Sequence, residues 1–95
     1  MSETVAEKRV RIVNLAGLHA RPAAQLVKLA NRFACEVEVG TDGLMVNAKS
    51  LMGVLMLAAC KGTDLTLTAV GDDDNARAAL DALIALIAQR FGEDR

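Results

Sequence analysis

One short stretch, residues 17–23, combines the residue types that could hold or transfer a phosphoryl group. Its sequence is GLHARPA, and it contains His19 and Pro22, the only histidine and the only proline of the chain. An imidazole can act as a nucleophile near neutral pH, and the guanidinium of Arg21 offers a planar set of donors that suits phosphate oxygens. Pro22 fits a first helical turn, where its missing N–H is not needed. The stretch therefore predicts a nucleophilic His19 beside an anion site.

The backbone next to His19 would contribute to such a site. An amphipathic helical pattern begins at about Ala20, so the N–H groups of Ala20 and Arg21 would lie in a first turn without partners inside the helix. The helix dipole is positive at this end and favours a bound anion. A second interpretation stays open, because a lone histidine often caps a helix or packs in a core.

The composition favours one small globular domain that covers residues 1–95. The chain is 53% hydrophobic and 24% charged, which is enough apolar material for a core. Only 2% of its residues are aromatic, so stacking on bases cannot support single-strand nucleic-acid binding. A net charge of −1 also argues against a general polyanion binder. We expect no nucleic-acid partner.

Neither the cysteines nor the apolar segments predict a metal site or a membrane anchor. Cys35 and Cys60 form no C-x-x-C pair, and two thiols with one histidine make no convincing zinc site. We expect both to be buried, reduced thiols of a cytoplasmic protein. No signal-peptide pattern occurs, and the longest apolar run, near residues 51–60, is too short to span a bilayer.

Hydrophobic periodicity predicts seven elements in the order β-α-β-β-α-β-α. The predicted strands cover residues 8–14, 36–40, 44–48 and 65–70. The predicted helices cover residues 20–33, 51–59 and 75–90. Residues 1–6 are expected to be a frayed end, and residues 93–95 a solvated tail. This order indicates an α+β protein, but it does not distinguish an open-faced sandwich from a ferredoxin-like split βαβ fold.

The segment after Ser50 is almost entirely apolar. Ser50 is placed to cap a short helix, because its hydroxyl could accept a hydrogen bond from an N–H of the first turn. One helix on a single sheet cannot bury every side, so some of the side chains of Leu51, Met52, Leu55 and Met56 should be exposed. An exposed apolar face would suggest a partner surface, whereas a helix deep in the core would have a structural role only.

Three consecutive aspartates, residues 72–74, precede the last predicted helix. They could be read as a cation site, but no EF-hand spacing surrounds them. We interpret them as residues that cap the helix N-terminus and complement its dipole.

Two separate stretches resemble one protein family. Residues 17–23 resemble the active-site signature of HPr, the histidine phosphocarrier of the bacterial phosphoenolpyruvate-dependent phosphotransferase system (PTS). Residues 46–54, VNAKSLMGV, resemble the second signature of that family, around its regulatory serine. The resemblance extends from about Val10 to Phe91. It implies an HPr-like open-faced sandwich, a four-stranded antiparallel sheet with three helices on one face.

The resemblance also implies roles for single residues. His19 would accept a phosphoryl group on Nδ1 from phosphorylated enzyme I and donate it to EIIA domains, with Arg21 pairing with the phosphoryl oxygens. Ser50 would be a regulatory phosphorylation site for HPr kinase/phosphorylase, if the host has that enzyme. The chain would then be a carrier without a cofactor rather than an enzyme.

A partner surface is expected where these two signatures meet. Small residues leave room for a partner's active site, a basic side chain attracts it, and exposed apolar side chains contact it. We expect this surface to comprise Ala20, Ala24, Lys28, Leu51, Met52 and Leu55. We expect the protein to be a monomer.

The sequence departs from the family at some positions and leaves its branch open. Ala16 stands where many members carry a polar residue, so that role cannot be transferred. Residues 55–57, 61–62 and 91–94 resemble NPr, the nitrogen-branch paralogue, whereas residues 49–54 resemble the HPr type. A sugar-branch carrier, an NPr-type carrier and a regulatory adaptor that acts through the Ser50 face are therefore alternatives, as is, on pattern alone, an unrelated ferredoxin-like ligand-binding domain.

Overall fold

The predicted order of elements is confirmed in the computed structural model, which describes residues 3–57 and 62–93. The strands are β1 (Thr4–Arg11), β2 (Glu36–Thr41), β3 (Leu44–Asn47) and β4 (Asp64–Gly71). The helices are α1 (Ala20–Ala30), α2 (Leu51–Met56) and α3 (Asp73–Ala88), and a short 3₁₀ turn (Arg90–Gly92) follows α3. None of the helices in the described part of the chain is long and apolar enough to cross a membrane.

The four strands form one antiparallel sheet in the order β1-β4-β2-β3. Strand β4 lies between β1 and β2, with Leu65 opposite Val10 and Leu67 opposite Val39. Its side chains alternate because successive residues of a strand point to opposite faces. This arrangement confirms the HPr-like open-faced sandwich, which periodicity alone had not distinguished from the ferredoxin-like alternative.

The core lies between the sheet and the helices. Its members are almost all aliphatic, as the composition requires, with Phe91 as the fully buried aromatic side chain. The fully buried large side chains include Ile12, Leu26, Val37, Val39, Val54, Leu65, Leu67, Leu80, Leu83 and Ile87. Helix α1 contributes Ala23, Leu26 and Ala30, the face that its period of 3–4 residues predicted.

Strand β1 differs from its prediction. It begins at Thr4, which pairs with Gly71, so the expected frayed end is wrong for residues 4–6. It ends at Arg11, but Ile12 stays fixed: its N–H donates to the carbonyl of Thr63 at 2.9 Å, and its carbonyl accepts from the N–H of Gly62 at 2.8 Å. Strand pairing with a segment far along the chain therefore sets both ends of β1.

The predicted helix caps are confirmed. The hydroxyl of Ser50 accepts a 3.2 Å hydrogen bond from the N–H of Gly53, and the carboxylate of Asp72 accepts a 3.0 Å bond from the N–H of Asn75. This bond is the main cause of the lowered pKa of Asp72.

No group of three or more possible metal ligands occurs within residues 3–57 and 62–93.

Three further predictions concern the end of α1, the two cysteines and the end of the second helix. Helix α1 ends at Ala30 rather than at residue 33, because the N–H groups of Arg32 and Phe33 donate to carbonyls only three residues back, which ends the regular four-residue pattern. Cys35 is a buried free thiol, as expected. The predicted end of the second helix beyond Leu57, and the prediction for Cys60, lie outside the described residues.

The end of α3 is the largest departure from prediction. The helix stops at Ala88, and Arg90 and Phe91 then adopt left-handed backbone angles, with φ of 58° and 55°. Phe91 turns inward and is only 3% exposed. Glu93 is half-buried and hydrogen-bonded, so the expectation that it belongs to a solvated tail is wrong. Residues 94 and 95 lie outside the described part of the chain.

Candidate functional site

His19 is the N-cap residue of α1, but its ring does not cap the helix. Its backbone is extended (φ −76°, ψ −175°), and its carbonyl accepts the first helical hydrogen bond from Ala23 at 3.0 Å. The side chain makes no capping bond and is 43% exposed. The capping and packing interpretations of the imidazole are therefore both wrong, and the ring is available for chemistry at the surface.

The loop between Ile12 and His19 carries the ring to that position. Leu18 is buried and anchors the loop to the core. Gly17 adopts φ 68°, a conformation that favours glycine, and its N–H closes a turn on the carbonyl of Asn14 at 3.2 Å. Ala16 is exposed in this turn. The loop does contain one buried polar side chain, the amide of Asn14, which donates to the carbonyl of Gly17.

Asn14 and Glu93 join the two ends of the chain at His19. The amide Nδ2 of Asn14 donates to the carbonyl of Gly17 at 2.9 Å and to Oε1 of Glu93 at 2.8 Å. The other carboxylate oxygen of Glu93, Oε2, lies 3.0 Å from Nε2 of His19. The carboxylate therefore bridges a fully buried asparagine and the exposed imidazole.

The electrostatics of this cluster keep Glu93 ionised. The hydrogen bond from Asn14 is the main cause that lowers the pKa of the Glu93 carboxyl, followed by the hydrogen bond with His19 and by the charges of His19 and Arg21. An ionised carboxylate can only accept hydrogen bonds. Nε2 must consequently carry the proton in this contact, which leaves Nδ1 as the ring nitrogen not engaged by Glu93.

Arg21 lies exposed in the first turn of α1, as predicted. Within residues 3–57 and 62–93 it forms no ion pair, whereas Lys8, Arg11 and Arg77 are each paired with an aspartate. Helix α1 has no acidic residue in its first turn. The guanidinium and the first-turn N–H groups of Ala20 and Arg21 can therefore meet an anion at this end of the helix.

The expected partner surface is exposed. In α2 only Val54 is buried, whereas Met52 is 75% exposed, Met56 67%, and Leu51 and Leu55 about as exposed as His19. Ala20, Ala24 and Lys28 are exposed on α1, which packs against α2. The alternative that α2 lies deep in the core is wrong, because the helix packs against the rest of the protein mainly through Val54.

Ser50 lies at the border of this surface and is half-buried. Its hydroxyl oxygen accepts the capping bond from Gly53, and the loop before it is fixed by Lys49. The ammonium of Lys49 donates to the carbonyl of Phe33 at 2.7 Å, and the amide of Asn31 donates to the carbonyl of Lys49 at 3.2 Å. The serine is therefore held close to the end of α1.

Sequence reasoning missed Asn14, Glu93 and the exposed side chain of Leu15 in the loop before His19. An asparagine inside the apolar run Val-Asn-Leu was a usable signal, because a buried amide requires partners. No local pattern marked Glu93, since its contacts lie 74 and 79 residues away in the sequence.

An exposed histidine at a helix N-terminus, on a small open-faced sandwich, is the arrangement expected of a phosphocarrier-type protein. Residues 6–89 match the family model described as "PTS HPr component phosphorylation site". The chain belongs to the HPr family, the phosphocarrier proteins of the phosphotransferase system.

Individual relatives agree with this assignment. The chain is 48% identical over 87 residues to the phosphocarrier protein HPr of Cupriavidus necator, which covers 92% of this chain and 96% of the relative. Its fold matches the crystal structure of an HPr from Thermoanaerobacter tengcongensis with a TM-score of 0.88 and 42% identity, over 95% and 99% of the two chains. It also matches Crh of Bacillus subtilis, described as a catabolite repression protein with domain swapping in a dimer (TM-score 0.70, 43% identity, 87% and 93% covered).

Proposed function

We propose that this chain accepts a phosphoryl group on Nδ1 of His19 from phosphorylated enzyme I and donates it to EIIA domains, in sugar uptake and its regulation. The observation that supports this is the placement of the ring: His19 is exposed at the N-terminus of α1, and Glu93 engages Nε2. Nδ1 is therefore the nitrogen left for the phosphoryl group.

The surroundings of His19 suit a reversible carrier. Phosphoryl transfer needs mainly positioning and charge stabilisation from a protein. The first-turn N–H groups of Ala20 and Arg21 and the guanidinium of Arg21 supply positive charge where a dianionic phosphoryl group would sit. Ala20 and Arg21 are exposed, so water weakens these interactions. The phosphoryl group would therefore be stabilised without being held too tightly to be passed on. We propose a phosphohistidine intermediate formed without a cofactor.

The partner surface is proposed to bind both enzyme I and EIIA domains. Exposed methionine and leucine side chains provide an adaptable apolar contact, and Lys28 adds positive charge beside it. Ala20 and Ala24, next to His19, leave space for a partner's active site. One surface would then serve donor and acceptor in turn.

Ser50 gives a second, regulatory candidate function. A phosphoryl group on Ser50 would place a charge of about −2 within the partner surface. The N-terminus of α2 would tolerate that charge, but acidic partners would be repelled. The likeness to Crh favours keeping this role, and an adaptor function through the Ser50 face, as the alternative to carriage alone. An NPr-type carrier of the nitrogen branch is the other alternative.

We further propose that residues 1–95 form a single HPr domain that works as a monomer in the cytoplasm. The dimeric assembly named for Crh makes the oligomeric state testable. Light scattering at micromolar concentration distinguishes the two, because a dimer has twice the mass of the 10.0 kDa chain.

The function is tested by intact-mass spectrometry after incubation with phosphoenolpyruvate and the host's enzyme I. We expect one acid-labile phosphoryl addition on the parent and none on His19→Ala. If the parent takes no phosphoryl group from an enzyme I that is itself phosphorylated, the carrier function is rejected and binding through the Ser50 face becomes the function to test.

A further inference from the structure

We propose that Glu93 is a positioning residue for phosphoryl transfer: its carboxylate holds the proton on Nε2 of His19, so that Nδ1 presents its lone pair to the donor. The inference rests on the proposed function and deepens it. It assigns a role to the end of the chain, residues 90–93, which neither signature stretch contains.

The contact of Glu93 with the ring has a defined direction. The distance from Oε2 to Nε2 is 3.0 Å, and the carboxylate can only accept. A proton held on Nε2 fixes the tautomer of the neutral ring, because a neutral imidazole carries one proton. This is the arrangement in which a buried carboxylate orients the histidine of a catalytic triad.

The carboxylate of Glu93 is itself positioned by a second hydrogen bond, from Asn14. Oε1 accepts a 2.8 Å bond from Nδ2 of Asn14, whose side chain is completely buried. The same Nδ2 donates to the carbonyl of Gly17, so two acceptors fix the orientation of the amide. Within the described part of the chain, Oδ1 of Asn14 is buried without a hydrogen-bond partner.

The backbone just before Glu93 forms an unusual left-handed turn. Arg90 and Phe91 adopt left-handed φ angles that are rare for residues other than glycine, and Gly92 follows with φ 77°. The buried ring of Phe91 fixes this turn to the core. A turn of this kind costs conformational energy and is kept where the surroundings determine it. Here it brings Glu93 back towards the N-terminus of α1.

The transfer step balances with Glu93 in this role. The lone pair of Nδ1 forms the new N–P bond while the P–N bond to the donor's phosphohistidine breaks, and that electron pair returns to the donor nitrogen. No proton has to cross, because Nε2 keeps its own. The phosphorylated ring then carries positive charge, which the Glu93 carboxylate balances at Nε2.

The test measures the Nε2 proton and the transfer kinetics on the full chain. Glu93→Ala removes the bond, Glu93→Gln keeps the shape of the side chain without its charge, and Glu7→Ala is the matched control. Glu7 is exposed and lies opposite Thr68 on the face of the sheet away from the core. The Nε2 proton is followed by ¹⁵N-edited NMR of the unphosphorylated protein. The kcat and KM for phosphoryl transfer are measured with phosphorylated enzyme I as the donor.

We expect the Nε2 proton to exchange slowly in the parent and in Glu7→Ala, and to be lost to rapid exchange with water in Glu93→Ala. We expect kcat to fall about tenfold or more in Glu93→Ala, the effect of losing one charge-assisted hydrogen bond, with an intermediate kcat in Glu93→Gln and little change in KM.

An unchanged Nε2 proton, or a change in KM alone, would overturn the inference while the parent still accepts phosphoryl groups. A KM effect would make Glu93 part of the partner surface instead. If the parent itself accepts no phosphoryl group, the proposed function fails and the inference fails with it. Melting temperatures equal to that of the parent confirm that both Glu93 variants are folded.

Discussion

The ammonium nitrogen of Lys49 lies 2.7 Å from the carbonyl oxygen of Phe33, and this bond ties the loop before α2 to the end of α1. Asn31 adds a second bond between the same segments, from its amide to the carbonyl of Lys49. The exposed apolar side chains of α2 are consequently held beside the helix that carries His19. This relationship places the proposed partner surface beside the proposed phosphorylation site, and variants at each can be tested separately.

Replacing Arg21 tests the charge at the N-terminus of α1. In Arg21→Lys the charge remains but the planar set of donors is lost, and in Arg21→Gln both are lost. We expect the rate of phosphoryl acceptance to fall in the order parent, Arg21→Lys, Arg21→Gln, by about tenfold for the loss of one charge-assisted contact. Rapid-quench kinetics with phosphorylated enzyme I give the rates. Equal rates for all three proteins would show that the guanidinium does not contact the phosphoryl group.

Replacing Met52 tests the partner surface. Met52→Asp places a charge in the centre of an apolar contact, and we expect KM for enzyme I to rise at least about tenfold, as for an interface hot spot. Val5→Asp is the matched control, because Val5 is similarly exposed but lies in the edge strand β1. Unfolding curves should show that Met52→Asp keeps the parent's stability. A normal KM for this variant would place the contact elsewhere.

Removing the hydroxyl of Ser50 tests its cap. We expect Ser50→Ala to lower the free energy of unfolding by about 0.5–2 kcal/mol, because the N–H of Gly53 loses its acceptor. Urea titration measures this difference. A variant as stable as the parent would show that water replaces the cap without loss.

Introducing a charge at Ser50 separates capping from regulation. An aspartate caps a helix about as well as a serine, so Ser50→Asp should retain most of the parent's stability. We expect it to accept phosphoryl groups more slowly from enzyme I, because the added carboxylate lies beside the partner surface. Transfer at the parent's rate in Ser50→Asp would contradict a regulatory role for charge at this position, and Ser50→Ala controls for the loss of the hydroxyl.

The pH dependence of stability follows from carboxylates whose pKa is lowered in the folded state. The pKa of Asp72 is lowered chiefly by its bond from the N–H of Asn75, and that of Asp64 by its bond from Arg11. Between the folded pKa and the unfolded value of about 3.9 the unfolded chain binds more protons, so stability rises with pH in this range. We therefore expect full stability above about pH 4 and a decline as the pH falls through the lowered pKa values.

The measurement for this prediction is urea unfolding between neutral and acidic pH. Asp72→Asn should show a shallower decline than the parent, since one of the contributing carboxylates is gone. Asp42→Asn, in the exposed turn between β2 and β3, controls for the loss of a charge. A parent protein whose stability does not change in acid would contradict the prediction.

Much of the site could be predicted because its signals are local. The placement of His19 before Ala20 and Arg21, with Pro22 in the first turn, follows from helix-start chemistry within four residues. The caps by Ser50 and Asp72 are equally local, since each side chain reaches an N–H three residues further along. These predictions needed no knowledge of what packs against the helix.

The extent of β1 and the exposure of α2 could not be read in this way. Residues 4–6 are ordered because they pair with β4, a partner that no local pattern identifies. The apolar sequence of α2 fits a buried helix and an exposed one equally well, and only its packing through Val54 decides between them.

The sequence by itself determined the family, the order of elements and the candidate nucleophile, His19, because periodicity, capping and short motifs act over a few residues. Only the tertiary structure decided that Glu93 belongs to the site. Its position depends on the left-handed turn at Arg90 and Phe91, on the burial of Phe91 and on the amide of Asn14. Contacts between residues so far apart in the chain are set by the packing of the core. The short charged sequence around Glu93 contains no local pattern that predicts them.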